Sequence, residues 1–362
     1  MPPKLAAVNS RVTIKEIANL ANVSPATVSL IINNRPGISQ DTKNRVMRII
    51  DALKYSPNLV ARSLVSRRSY AIAMLITSPT NAIFPELAAG VGEVLQSHGY
   101  SLSIISTYDD GSIEAKETQK IRARGIDGII TSAALLDSND LKDLARSGYP
   151  VVSVLRRVYD CEELDSVTVD NLKGGYIAME HLIRLGHTRI GIIKGPLNTS
   201  TGKERLEGAI MASEDYDISV NEGLIHQGDF FKESGYNAAK KFLNLPPKRR
   251  PTAVYACNDE MAFGAFEAVW DIGLRIPEDI ALVGFNNVEA TALRRVEITT
   301  INQRKQEVGK LAAKRLINRL EKIRGYKKPY QVVLEPNLIV RKSCGSSLTS
   351  GYKVKKTKKN HW

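Results

Sequence analysis

The 362-residue chain has few cysteines and no long apolar segment. Its 3 cysteines, Cys161, Cys257 and Cys344, are far apart and form no CxxC pair, which argues against a zinc site and a disulfide framework. No run approaches the roughly 20 apolar residues that a membrane span requires. The opening residues, MPPKLAAVNSRVT, lack the apolar region of a signal peptide. We therefore expect a cytoplasmic protein with reduced cysteines and no membrane partner.

Recognisable catalytic and metal-binding patterns are also missing from the sequence. His181 and His187 are close in HLIRLGH, but no third ligand has metal spacing. The glycines of GIIKG at 191–195 lack the GKS or GKT of a phosphate-binding loop, and Asp109-Asp110-Gly111 is typical of a turn after a strand. No Ser/His/Asp set or carboxylate pair stands out. The sequence thus predicts no metal, no cofactor and no enzyme activity.

Positive charge is concentrated at the two ends of the chain. The formal net charge is +13. Residues 1–68 hold 11 lysines and arginines against 3 acidic residues, and residues 341–362 hold 7 against none. Residues 69–340 hold 33 against 35 and are nearly neutral. The basic N-terminal segment is compatible with a polyanionic partner or with a solvated arm.

Residues 13–64 read as three short helices followed by a fourth segment. Thr13 and Glu16 have capping-box spacing, which predicts a helix beginning at Ile14. Ser24 is a candidate N-cap and Pro25 suits the first helical position, so a second helix should run to about residue 33. The link between these helices is short and polar, as in a helix-turn-helix, which places one helix in a DNA groove.

The same segment continues with a third helix and a repeated start signal. Ser39 should cap a helix that runs through Leu53, and Ser56-Pro57 precedes the sequence NLVARSL. Apolar residues at helical spacing predict the buried faces of the first two helices: Ile14, Ile17, Ala18 and Ala21, then Val28, Ile31 and Ile32.

From Tyr70 onward, short apolar runs alternate with segments of helical periodicity. One set extends from a strand at 71–76 to a strand at 151–154, and a second from a helix at 174–185 to a strand at 280–285. Strands that alternate with helices of this length predict parallel, doubly wound sheets. Two sets predict two subdomains with a ligand cleft at the carboxyl ends of their strands.

Six motifs in order give the chain a clear resemblance to the lactose-repressor (LacI/GalR) family of bacterial transcriptional regulators. They are TIKEIANLANVSPATVSLIIN, YSPNLVARSL, GIDGII, VDNLKGGYIAMEHLIRLGHTRIGII, CNDEMAFGAFEAV and IPEDIALVGFNN, and the match covers residues 12–343. The resemblance implies an N-terminal all-α helix-turn-helix DNA-binding domain and an α/β core like periplasmic binding proteins, with two doubly wound parallel-sheet subdomains.

The resemblance also implies domain boundaries. The DNA-binding domain would span 12–57, a hinge helix and linker 58–69, and an effector-binding and dimerisation core 70–343. Within the core, one subdomain would comprise about 70–168 and 301–333, and the other about 169–299 and 336–343. Residues 344–362 would be a disordered basic tail that either adds DNA affinity or is inert.

In this family the second helix enters the major groove. Pro25 and Ala26 would face base edges, where polar side chains are usual, and Leu30 replaces a common arginine. This departure predicts an operator choice that depends on apolar contact and DNA shape, unless Leu30 packs within the module. The positions suited to phosphate contact or otherwise implied to meet DNA are Thr13, Ser24, Thr27, Ser29 and Asn33.

The segment Asn58–Leu64 corresponds to the family's hinge helix, which forms when paired across a dimer on operator DNA. Leu64 matches the leucine that wedges into the minor groove, and Asn58 and Ala61 lie on the same segment. The implied partners are therefore a second copy of the chain and double-stranded, near-palindromic operator DNA.

The implied effector site combines matches and departures. Arg205, Phe230 and Asn258 match ligand-contacting positions. Asn286 stands where an aspartate is usual, and Leu155 replaces another acid. Arg156, the residue after Leu155, is also implied to bind the effector. Losing two acceptors while keeping cations predicts a more anionic effector, such as a sugar phosphate or carboxylate. The alternatives are that Asn286 binds a neutral sugar through its amide, or that the cleft does not respond to an effector.

Two other functions are alternatives to the ligand-responsive repressor. A periplasmic-type solute receptor would share the cleft architecture, but it would need a signal peptide and no helix-turn-helix. An enzyme with a DNA-binding arm, such as a sugar kinase, would need a phosphate-binding glycine loop and a catalytic base. The motifs favour the repressor over both.

Overall fold

The computed structural model describes residues 12–32, 36–55, 68–348 and 356–357. They belong to two compact units, one ending at Arg68 and the other beginning at Ser69. Four predicted DNA-contacting residues, together with the predicted hinge helix, lie outside the described residues: Asn33, Asn58, Ala61 and Leu64.

The first unit contains three helices, α1 (Ile14–Ala21), α2 (Pro25–Ile32) and α3 (Gln40–Ala52). The predicted capping box is confirmed, because Glu16 N donates to Thr13 Oγ1 at 3.3 Å and Thr13 N donates to Glu16 Oε2 at 2.7 Å. Ser24 Oγ accepts from Thr27 N at 3.0 Å, which confirms the predicted start of α2. Side chains from all three helices form the core: Ile17, Ala18, Ala21, Val28, Ile31 and Val46.

The second unit alternates strands and helices. Its strands are β1 (Ala71–Ile76), β2 (Ser101–Ser106), β3 (Gly128–Thr131), β4 (Val151–Val154), β5 (Asp165–Val169), β6 (Ile190–Lys194), β7 (Ile225–Gln227), β8 (Ala253–Ala256), β9 (Ala281–Asn286), β10 (Thr299–Asn302), β11 (Gln331–Leu334) and β12 (Asn337–Ile339). Its helices are α4 (Ile83–Ser97), α5 (Gly111–Ala123), α6 (Asn139–Arg146), α7 (Asn171–Arg184), α8 (Ser200–Asp215), α9 (Lys232–Leu243), α10 (Asp259–Asp271) and α11 (Lys305–Leu320). Among the described residues, no helix combines the length and apolar character needed to traverse a bilayer.

Two six-stranded sheets organise this unit. The sheet of the first subdomain has the order β11-β5-β4-β3-β1-β2, and that of the second subdomain β12-β10-β9-β8-β6-β7. Neighbouring strands are parallel, as predicted, except that β12 runs antiparallel to β10. The exception arises because only the two residues Glu335 and Pro336 separate β11 from β12, so the chain passes directly from one sheet to the other.

The core extends beyond its predicted end at residue 343. Ser343 and Cys344 are buried, and Ser343 Oγ donates to Leu282 O at 2.6 Å. Further along, Lys356 Nζ lies 2.9 Å from Asp215 Oδ2. Within the predicted basic tail, residues 344–348 and 356–357 are thus described by the structure, and Lys356 and Thr357 contact Asp215 of the second subdomain.

Candidate functional site

The helix α2 has a buried side and an exposed side. Val28 and Ile31 are buried, whereas Ser24, Pro25 and Ala26 are exposed. Thr27 and Ser29 are half-buried, and Thr13 is exposed at the start of α1. Together with Leu30, these are the predicted DNA-contacting residues that lie within the described part of the chain.

Leu30 is 40% exposed, so its side chain is not enclosed by the core of the first unit. A solvent-exposed leucine next to Pro25 and Ala26 gives this surface an apolar character. Ser24 and Thr27 add hydroxyl groups, whose oxygens lie 2.9 Å apart. The surface can thus offer methyl groups to base edges and hydroxyls to phosphates.

The cleft between the two subdomains brings together the five predicted effector-binding residues and Leu155. The space in it that water can reach is about 50 Å³. Its residues come from both subdomains: Thr77, Asn81, Ile83, Phe84, Ser132, Leu155, Arg156, Thr201, Arg205, Phe230, Asn258, Asn286 and Gln303. A cleft lined by guanidinium, amide and aromatic side chains suits a small polar molecule.

Arg205 is the buried cation of the cleft. It extends from α8, 3% exposed, with its guanidinium carbon 3.7 Å from the centre of the Phe285 ring. Its Nε donates to Asn171 Oδ1 at 2.9 Å and its Nη1 to Cys257 O at 2.7 Å. Burial lowers the pKa of Arg205 to about 10, so the group stays positive at neutral pH. Its charge is met by neutral oxygens and by no ion pair among the described residues.

Arg156 differs because a carboxylate neutralises it. Its Nη1 and Nη2 both donate to the Asp109 carboxylate, the second at 3.2 Å, and its guanidinium carbon lies 5.7 Å from the centre of the Phe230 ring. The sequence assigned Asp109 to a turn and did not predict this pair. Of the two predicted cations of the cleft, Arg156 is thus paired with a carboxylate and Arg205 is not.

Asn258 supports the wall of the cleft rather than pointing a free amide into it. Its Oδ1 accepts from Met261 N at 2.9 Å and caps α10, while its Nδ2 donates to Phe230 O at 2.8 Å. The Phe230 ring packs directly on Gly195, where a Cβ would come within 2.3 Å of the ring. Asn258 and Gly195 together hold the aromatic ring against the cleft.

Asn286 closes the base of the cleft. Its Oδ1 accepts from Gln303 Nε2 and, at 3.5 Å, from Arg205 Nη1, and its carbonyl accepts from Lys305 Nζ at 2.8 Å. Gln303 is 1% exposed, and its Oε1 has no hydrogen-bond partner among the described residues. A buried acceptor left open in this way can receive a donor from a ligand. Gln303 was not predicted from the sequence.

The backbone of the cleft is strained at three lining positions. Leu155, Phe230 and Asn286 have φ values of 64°, 72° and 126°, in a region that residues with side chains rarely adopt. Such conformations persist where the surrounding structure enforces them, and they concentrate at ligand sites.

Polar contacts also join the two subdomains outside the lining of the cleft. Ala82 N donates to Glu260 Oε1 at 3.3 Å, and Arg157 Nη2 lies 2.6 Å from Glu204 Oε1. Burial raises the pKa of the Glu260 carboxyl. In the described residues, no group of three histidines, cysteines or carboxylates could hold a metal ion.

Two family models match the chain. "Periplasmic binding proteins and sugar binding domain of LacI family" matches residues 69–334, and "Bacterial regulatory proteins, lacI family" matches residues 13–58. The HTH-type transcriptional repressor PurR of Haemophilus influenzae (strain PittEE) is 34% identical over 337 residues, covering 93% of this chain and 99% of that protein. The PurR repressor of Klebsiella pneumoniae (strain ATCC 700721 / MGH 78578) is 36% identical over 332 residues, covering 91% and 96%.

Solved structures agree with these matches. The transcriptional regulator CelR in complex with cellobiose has a TM-score of 0.69 at 29% identity, covering 92% of this chain and all of that one (100%). The lac repressor dimer bound to operator and the anti-inducer ONPF has a TM-score of 0.80 at 25% identity, covering 92% and 99%. The helix-turn-helix layout, the two sheets and the cleft thus occur together in one known group of proteins, and the chain belongs to the lacI family of bacterial regulatory proteins.

Proposed function

We propose that the protein is a DNA-binding transcriptional repressor that acts as a homodimer on near-palindromic operator DNA in the cytoplasm and responds to a small-molecule effector. The observation that carries the DNA-binding part is the exposure of Ser24, Pro25, Ala26 and Leu30, whereas Val28 and Ile31 of α2 are buried in the core of the first unit. A dimer doubles the contacts of one helix per chain, which alone would give too little specificity.

The proposed recognition depends on shape and apolar contact. Pro25, Ala26 and Leu30 would meet base edges, where a methyl contact with thymine is the main direct interaction open to them. Hydroxyl-bearing residues would position the helix on phosphates. The proposed phosphate and minor-groove contacts are Thr13, Ser24, Thr27, Ser29, Asn33, Asn58, Ala61 and Leu64.

Genomic footprinting of the bound protein would identify its operator, and gel-shift assays on that operator would test the surface. Leu30→Ala should weaken specific binding by roughly three- to tenfold, because an apolar contact of about 1 kcal/mol is lost. Met47→Ala is a matched control, since Met47 on α3 is 39% exposed against 40% for Leu30. Equal affinities for the wild type and Leu30→Ala would contradict the proposed role of Leu30.

The effector we propose for the cleft is an anionic sugar derivative, such as a sugar phosphate or carboxylate. Arg205 supports this because it is a buried cation that neutral oxygens alone contact, so an incoming anion would supply the missing charge. The open Oε1 of Gln303 would accept a hydroxyl of the same molecule. Phe230 would lie against its apolar face.

Calorimetry with matched pairs tests the class of effector: glucose against glucose 6-phosphate, and ribose against ribose 5-phosphate. We expect the phosphorylated member of a pair to bind more tightly, and its binding to change operator affinity in the gel-shift assay. Tighter binding of the neutral sugars would overturn the anionic proposal while leaving the DNA-binding part intact.

A further inference from the structure

A second pocket lies at the end of the second sheet opposite to the cleft. Ile190, the first residue of β6, lines it together with Ser213 near the end of α8, whereas the cleft residues Phe230, Asn258 and Asn286 follow or end strands of the same sheet. The space that water can reach in this pocket is about 230 Å³, against about 50 Å³ in the cleft. It therefore has room for a small organic molecule.

The floor of this pocket is apolar. Met179, Ile190 and Leu224 are 1%, 7% and 4% exposed, and they belong to the core of the second subdomain. Ile218 and Leu245 are partly buried and pack against the same core at the sides. An apolar ring or chain resting on this floor would remove carbon surface from water on both sides of the contact.

The rim of the pocket is cationic. Arg189, Lys248 and Arg249 line it and are exposed. Arg189 Nε donates to Arg250 O at 3.1 Å, and none of the three rim residues forms an ion pair in the described part of the chain. The acidic residues of the neighbouring loop, Asp217 and Glu222, are not among the lining residues. Three like charges facing one cavity repel one another, and an anion between them would relieve that repulsion.

Polar groups between floor and rim complete the site. Asn221 Oδ1 accepts from Gly223 N at 2.9 Å, which turns its amide group into the available donor. Ser219 lines the same wall.

We infer that this pocket is a second binding site for a small organic anion, whose apolar ring lies on Met179 and Leu224 and whose phosphate or carboxylate meets the cationic rim.

The site is separate from the cleft, although α8 reaches both. Arg205 lines the cleft and Ser213 lines the second pocket, eight positions apart along the helix and so about 12 Å along its axis. Two ligands can therefore bind to one chain without touching each other. A binding experiment can distinguish the sites by changing Arg205 or the rim independently.

The test uses the full chain and four probes measured by calorimetry: 1-naphthyl phosphate, 1-naphthoate, 1-naphthol and inorganic phosphate. At least one naphthyl anion should bind more tightly than both naphthol and inorganic phosphate, because only it uses floor and rim together. The two naphthyl anions distinguish a phosphate from a carboxylate ligand. Binding should weaken as salt is added, since the rim is exposed.

Substitutions of the rim residues test whether the naphthyl anion binds in this pocket. Lys248→Gln/Arg249→Gln should weaken the naphthyl anion by at least about tenfold, because charge-assisted hydrogen bonds are lost. Lys314→Gln/Arg324→Gln removes the same charges from exposed positions outside the pocket and should leave binding unchanged. Arg205→Met should also leave this binding event in place. Thermal unfolding would verify that each variant is folded.

Three results would overturn the inference: no binding of either naphthyl anion at millimolar concentration, equal binding by the rim variant and the wild type, or loss of binding in Arg205→Met alone. The last result would assign the probe to the cleft.

Discussion

Buried charged side chains have different partners in the two subdomains. In the first, Asp165 is fully buried and accepts from Arg315 Nε at 2.7 Å and from Arg319 Nε. In the second, Arg205 and Asp259 are both buried, yet they do not pair with each other. Arg205 donates to an amide and a carbonyl oxygen, and Asp259 accepts from Thr300 Oγ1 at 2.6 Å and Val288 N at 2.9 Å.

The ion-paired cluster of Asp165 has a structural role, whereas a buried charge without an ion pair can bind a charged ligand. The Asp165 cluster joins α11 to the first residue of β5, and its carboxylate accepts from two guanidinium groups and from Tyr330 N. Arg205 and Asp259 instead form hydrogen bonds with neutral groups only. Arg205 lines the cleft, and Asp259 lies next to the cleft residue Asn258. A saturated cluster stabilises the fold, whereas an unsaturated one can exchange a protein contact for a ligand.

Asp165→Asn should produce the largest effect on stability. It leaves the guanidinium groups of Arg315 and Arg319 without a carboxylate, and breaking a buried pair in this way costs about 3–5 kcal/mol of unfolding free energy. Glu335→Gln, which removes the exposed partner of Lys173, should cost less than about 1 kcal/mol. Urea denaturation measures both. Similar losses for the two variants would mean that the buried cluster has no special role.

Asp259 should make stability depend on pH. Burial raises its pKa to about 6 from the ordinary value of 3.8. Between these values the folded chain binds a proton that the unfolded chain does not, so this group's contribution to stability falls as pH rises from about 4 to 6, by about 3 kcal/mol in all. Asp259→Asn lacks the titration, so we expect the free energy of unfolding of the wild type, relative to the variant, to fall across that window. A difference that stays constant with pH would contradict the raised pKa.

Features that depend on residues close together in the sequence were predicted correctly. The starts of α1 and α2 were predicted correctly because Thr13 with Glu16, and Ser24 with Thr27, satisfy backbone groups within one helical turn. The alternation of strands and helices likewise predicted the two sheets, since each element carries its own periodicity. The family itself was identified correctly from motifs that extend over most of the chain.

Contacts between distant residues escaped prediction. Asp109 and Arg156 are 47 positions apart. Gln303 meets Asn286 because β9 and β10 are neighbouring parallel strands, and Gln303 directly follows Asn302, the residue paired with Asn286. No local pattern marks such pairs, so Asp109 was assigned to a turn. Arg205, Phe230 and Asn258 were found through family motifs, and their effector-binding role stays a prediction.

Arg205→Met should change ligand binding more than folding. It removes the unpaired cation while keeping an apolar side chain over Phe285, so the free energy of unfolding should change less than in Asp165→Asn. Affinity for a phosphorylated sugar should fall by about 30-fold, since a charge-assisted contact of about 2 kcal/mol is lost. Calorimetry with glucose 6-phosphate and ribose 5-phosphate measures it. Unchanged affinity for a ligand that the wild type binds would exclude Arg205 from the anion contact.

Asp109→Asn should produce the smallest effect, in the opposite direction. The carboxylate of Asp109 neutralises Arg156, and an amide cannot, so the variant would present a second cation to the cleft. Affinity for a phosphorylated sugar should rise by about two- to fivefold relative to its neutral counterpart, because the side chain of Asp109 is 20% exposed and water screens part of the charge. Asp110→Asn is the matched control, since asparagine also caps a helix and Asp110 caps α5. An equal rise in both variants would point to net charge alone, whereas a rise confined to Asp109→Asn would make the carboxylate on Arg156 the feature that distinguishes it from Arg205.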